Sequence, residues 1–69
     1  MEYLVIIEKG REGYGAYVPD LPGCVAAGES IDEVRQLIRE AIPLHVGLMR
    51  ERGEPIPAPT SSAETVRVA

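Results

Sequence analysis

The chain has 69 residues, so it holds one domain at most, and a chain of this size buries only about 60% of its unfolded surface. It contains no Phe and no Trp, so Val, Ile, Leu, Met and Tyr must fill the core. A net charge of -4 and a pI of about 4.8 argue against nucleic-acid binding over the whole surface and fit a basic partner instead. The single cysteine, Cys24, excludes an internal disulfide and a cysteine-built metal site. Met1-Glu2-Tyr3 lacks the basic start of a secretory signal, and the apolar run Tyr3 to Ile7 is far too short to span a membrane. A soluble cytoplasmic protein is expected. Small domains of this kind often gain stability by self-association, so a homo-oligomer, most simply a dimer, is expected too.

Tyr3-Leu4-Val5-Ile6-Ile7 is almost continuously apolar, as in a strand buried on both faces or central in its sheet. Gly10-Arg11-Glu12-Gly13 reads as a turn whose glycines absorb positive φ. Tyr14 to Val18 is the return strand, with Gly15 marking a bulge or a close backbone approach. Pro19-Asp20-Leu21-Pro22-Gly23 is a rigid elbow. Its prolines fix φ, Asp20 closes a local turn and Gly23 supplies positive φ. A weak third strand follows over Cys24 to Gly28, placed at an edge.

Ser30-Ile31-Asp32-Glu33 has the form of a capping box, with the Glu33 side chain reaching back to Ser30. Val34, Leu37, Ile38, Ala41, His45, Leu48 and Met49 then make one helical stripe, and Gly53 suits the residue after the helix end. Pro43 predicts a kink in one continuous helix, with two short helices as the alternative. Gly53 to Pro59 reads as an extended, proline-rich connector. Glu64-Thr65-Val66-Arg67-Val68 alternates well enough for a last short strand.

The predicted fold is α+β. Three antiparallel strands form a meander, one helix covers one face, and a fourth strand lies parallel to strand one (order 3-2-1-4). Residues 1–52 form the core, 53–59 the connector and 60–69 the tail. The uncovered sheet face, carrying alternate residues of strand one and Tyr14 or Tyr17, calls for a partner.

No catalytic, cofactor-binding or metal-binding residue is assigned. His45 lies on the apolar stripe and reads as a core or interface residue, with no second His and no nucleophile beside it. Cys24 reads as a small buried hydrophobe rather than a nucleophile. Glu8, Asp20, Glu29, Asp32 and Glu33 resemble a nuclease carboxylate cluster only on paper, since Asp20 is a turn residue and Asp32 and Glu33 belong to the helix start. Arg35, Arg39, Arg50 and Arg52 read as the solvated face of the helix.

Taken together, the residues Tyr3 to Lys9, Gly13-Tyr14, Ala16 to Cys24, Gly28-Glu29-Ser30, Arg39 to Ile42 with Leu44-His45, and Gly53 to Pro59 resemble the HicB antitoxin family. The Tyr-Val-Pro-Asp-Leu-Pro-Gly-Cys block is the specific part. The resemblance implies a partial, degenerate RNase H-like domain that binds and neutralises HicA, a small basic mRNA-cleaving toxin. Family members commonly add a C-terminal DNA-binding domain. Here the residues after Pro59 are too few for one, so no direct DNA binding is expected, and Pro43 departs from a helix-compatible pattern. Two other functions are set beside this one: a stand-alone structural or regulatory oligomer without a toxin partner, and a metal-dependent nuclease.

Overall fold

A computed structural model describes residues 1–69. Three short strands, β1 (Ile6–Lys9), β2 (Tyr14–Tyr17) and β3 (Val25–Gly28), form an antiparallel meander in the order β1-β2-β3, and a 21-residue helix, α1 (Ile31–Glu51), packs on one face. The α+β class and the meander are as expected. The fourth strand is not: Glu64–Val68 takes no strand conformation, and Val66 and Val68 are exposed. Strand formation needs a neighbour, and the preceding segment is fastened elsewhere. The Tyr3 hydroxyl donates to the Pro57 carbonyl, and Thr60 and Ser61 are bound to Asp20. Without that strand β1 is an edge, and β2 is the central strand.

The apolar run at the N-terminus also joins the ladder later than expected. Ile6 pairs with Tyr17. Beyond that pair the elbow takes the partner strand away, because the Val18 N–H donates to the Cys24 carbonyl at 3.2 Å. Tyr3, Val5 and Ile7 pack against the core, while Leu4 and Ile6, of opposite parity, are half-buried on the other side.

The first turn closes through the Gly10 N–H on the Gly13 carbonyl, with neither glycine at positive φ. Positive φ occurs at Gly23 (85°) and Gly53 (69°), where the chain must reverse. Gly15 marks neither a bulge nor a close approach, since its register with Ala27 is regular. Gly13 and Gly28 are the tight positions. A Cβ on Gly13 would lie 2.6 Å from the Gly28 carbonyl oxygen, and one on Gly28 would lie 2.7 Å from Glu33 Oε1.

Local chemistry sets both helix ends. Ser30 Oγ accepts from the Glu33 N–H at 3.1 Å. The return bond shifts by one residue from the expected box: Glu33 Oε1 accepts from the Glu29 N–H at 3.3 Å, not from Ser30. At the far end Gly53 N–H donates to the Arg50 carbonyl and Glu54 N–H to the Met49 carbonyl, a Schellman closure. Between them α1 is one helix. Pro43 and Arg39 both sit on its exposed side, where the missing N–H leaves the Arg39 carbonyl without its helical donor.

The core is small: Ala16, Val18, Leu21, Cys24, Val34, Ile38 and Val46. The buried helix face therefore runs through Val34, Ile38, Ala41, Ile42, Val46 and Met49. It is rotated from the expected stripe, and Leu37 and Leu48 fall on a flank together with Leu44.

Candidate partner-binding surface

Alternation along the strands sorts the sheet into two faces. Ile7, Ala16 and Ala26 face one another across the register and point to α1, as do Lys9, Tyr14 and Gly28. Tyr14 thus packs against the core. Ile6, Tyr17 and Val25 make the corresponding row on the opposite face, next to Glu8, Gly15 and Ala27. Nothing in the chain covers that face: Tyr17 is 40% exposed and Val25 64%. An aromatic and a β-branched side chain directly opposite each other form a stable cross-strand pair and a ready apolar platform. Glu8 adds a negative rim.

The elbow fixes this platform. The Leu21 N–H donates to the Val18 carbonyl and the Cys24 N–H to the Leu21 carbonyl, both at 3.0 Å. Two turns in succession thus drive Leu21 into the core, where it is wholly buried, while β2 and β3 stay in register. Cys24 is buried beside it, and burial pushes its thiol pKa up, as suits a small hydrophobe.

Asp20 does not close its own turn. Its carboxylate accepts from the backbone N–H groups of Thr60 (3.1 Å) and Ser61 (3.0 Å) and from both their hydroxyls (3.1 and 2.9 Å). These bonds, the Ser61 backbone bond first, hold its pKa below the ordinary 3.8. With the folded-state pKa depressed, the clasp contributes fully above about pH 3.8 and is lost as pH falls through the lower folded value. The Thr60 and Ser61 amide resonances should titrate together below pH 3.8, and Asp20→Asn should abolish that titration and expose both amides to exchange. Amides that titrate unchanged in the variant would show that another group is being followed.

The remaining carboxylates do not converge. Glu33 is occupied with the Glu29 N–H, and Asp32 lies 3.9 Å from Arg35 in an exposed pair. No group of three or more His, Cys, Asp or Glu side chains is placed to hold a metal ion. His45 is half-buried and lines a 430 Å³ cavity with Pro22, Leu48, Met49, Arg52 and Pro57 among its walls. No helix is long and apolar enough to cross a membrane. Sequence reasoning missed the Tyr17–Val25 pair because β3 gave a weak local signal; the pairing register alone brings the two together.

The chain is similar to several known proteins. The 14.9 kDa protein from the rep–hol intergenic region of Haemophilus phage HP1 is 42% identical over 57 residues, covering 83% of this chain and 43% of its own length. A UPF0150 protein of Helicobacter pylori is 50% identical over 42 residues, covering 61% of this chain and 58% of its own. A UPF0150 protein of Thermoplasma acidophilum is 37% identical over 67 residues and is matched nearly end to end, at 96% and 97%. The chain thus spans about half the length of the first two relatives. The solved structure of a HicA3 and HicB3 toxin–antitoxin complex contains a chain that matches with a TM-score of 0.73 and 32% identity, over 87% of this chain and 70% of that one. The family described as HicB-like antitoxin of bacterial toxin–antitoxin systems matches residues 3–68. With a match over that span, the chain belongs to the HicB-like antitoxin family.

Proposed function

We propose that the chain is a non-enzymatic antitoxin-type binding protein that neutralises a small, basic, HicA-like mRNA-cleaving toxin by covering it. The likeness to a chain of the HicA3 and HicB3 complex carries the reading. The open sheet face supports it: Ile6, Tyr17 and Val25 offer an apolar centre, and Glu8 with the overall charge of -4 suits a basic partner. The meander with its covering helix fits a partial RNase H-like core, and the three buried residues of α1 hold that core behind the platform. The partly buried, doubly apolar N-terminal strand has a reason here, since its second face is finished by the partner.

A titration tests this. The purified chain should suppress RNA cleavage by its cognate HicA-like toxin in proportion to the amount added, saturating near one chain per toxin. Tyr17→Glu should weaken suppression by roughly 100-fold, because it places a charge in the centre of a desolvated patch. Cleavage that persists at excess wild-type chain would remove the reading. Full suppression by the Tyr17 variant would move the toxin to another face.

A further inference from the structure

The sheet ends at β1, and the outer edge of that strand is open. Antiparallel pairing alternates which backbone groups face the neighbour. The Val18 N–H on the Cys24 carbonyl and the Gly10 N–H on the Gly13 carbonyl fix the alternation from both ends of β2. Ile6 and Glu8 therefore turn their N–H and C=O groups to β2, while Ile7 and Lys9 turn theirs outward. Ahead of them Tyr3, Leu4 and Val5 make no backbone hydrogen bond within the chain.

Proteins ordinarily close such an edge with a proline, a bulge or a lysine. Here the first proline is Pro19, the register with β2 is regular, and Lys9 stands only at the end of the strand. A row of unpaired N–H and C=O groups is completed by another extended backbone, which sets the form of the occupant.

Charge sets its identity. On the open side of the sheet the edge reads Glu2, Leu4, Ile6, Glu8, a half-buried apolar pair between two exposed acids. Side chains directly opposite on one face interact, and like charges there repel. A second copy laid antiparallel with Leu4 opposite Ile6 sets Glu2 against Glu8 at both ends, and a parallel copy in register sets each acid against itself. The chain's own tail is no better: with Val66 and Val68 opposite Leu4 and Ile6, Glu64 falls opposite Glu2 or Glu8 in either direction. A segment with an apolar pair at alternate positions, and a basic residue two positions beyond each, satisfies all four side chains. Ile6 also begins the row Ile6–Tyr17–Val25, so an added strand lengthens the open platform.

We infer that the outer edge of β1 binds an extended, basic-flanked segment of a partner protein by strand addition. Backbone bonds to Tyr3, Val5 and Ile7 hold the segment, and Glu2 and Glu8 select its charge and turn away a second copy. The inference rests on the antitoxin reading only for the identity of that partner, the toxin.

A peptide titration of the full chain tests the edge. The peptide Lys-Thr-Val-Thr-Val-Thr-Lys, blocked at both ends, should bind saturably and slow amide exchange at Tyr3, Val5 and Ile7 by roughly ten-fold. The same peptide with Glu at both ends should bind about ten-fold more weakly. In the double variant Glu2→Lys with Glu8→Lys, changed only at exposed positions, that preference should reverse. No binding of the Lys peptide, or a preference unmoved by the double change, overturns the inference. In the complex with the cognate HicA-like toxin the same three amides should be protected. A toxin that binds and leaves them exchanging freely overturns the toxin as the occupant. A toxin that does not bind at all overturns the proposed function and not the edge, which the peptides decide.

Discussion

Leu21→Ala should lower the thermal midpoint by about 15 °C or more and bring the domain close to unfolding at room temperature. Leu21 is 0% exposed, the most buried large side chain of the elbow. It shares the core with Val18, Cys24, Val34 and Ile38, so its removal opens a cavity between the elbow and the helix. Losing such a side chain costs about 2–5 kcal/mol. A domain this small has roughly 5 kcal/mol in total, so the single change removes about half of it or more. No neighbour can readily fill the space, because the elbow is pinned by its two backbone bonds and by Pro19 and Pro22. Val25→Ala, at a position 64% exposed, should stay within about 0.5 kcal/mol of wild type. Melts followed by circular dichroism at matched concentration separate the two, since association itself raises the midpoint. A Leu21→Ala melt within about 5 °C of wild type would mean that the elbow hangs outside the core.

That side chain also shows where sequence reading succeeds and where it stops. The elbow is legible as turn chemistry: prolines fix φ, and Gly23 sits at the left-handed position that it suits. The burial of Leu21 is not, because a leucine between two prolines carries no periodicity. The helix caps are equally legible, being set by neighbours within a few residues of Ser30 and Gly53. Long-range choices are not written locally. Glu64 to Val68 alternates like a strand, but pairing depends on where the connector is held, and Asp20 holds it 40 residues away in sequence. The helix stripe is right for Val34, Ile38, Ala41 and Met49 but not for Leu37 and Leu48, and for another reason. Two apolar rows lie side by side on α1, and hydrophobicity alone assigns Leu37 and Leu48 to the core as readily as Ile42 and Val46. The candidate surface inherits this limit, since the faces of Tyr14 and Tyr17 follow from the register and not from their identity. The resemblance in the Tyr-Val-Pro-Asp-Leu-Pro-Gly-Cys block reached the family where periodicity could not.

Gly13→Ala should destabilise the domain by about 1–3 kcal/mol, while Gly15→Ala, two residues on, should be neutral or mildly stabilising. The contrast isolates space from backbone conformation, because neither glycine has positive φ. A methyl on Gly13 would lie 2.6 Å from the Gly28 oxygen, a backbone atom at the end of β3 that has no rotamer with which to move aside. Tyr14 pairs with Gly28, so the two strands would have to part at the open end of the ladder. The displacement would not stop there. Gly28 lies against the Glu33 side chain, whose carboxylate accepts the Glu29 N–H at the helix start, so a shifted β3 presses on the cap that orients α1. At Gly15 the nearest atom to an added methyl is the Ala26 oxygen at 3.9 Å, an ordinary contact, and replacing a strand glycine reduces the freedom of the unfolded chain. Urea midpoints of the two variants should therefore move in opposite directions or differ by the whole cost of the first. Amide exchange should quicken at Tyr14 and Gly28 in Gly13→Ala alone. Equal midpoints would mean that the ladder end has slack, and the packing of β3 against the start of α1 would then depend on Gly28 alone.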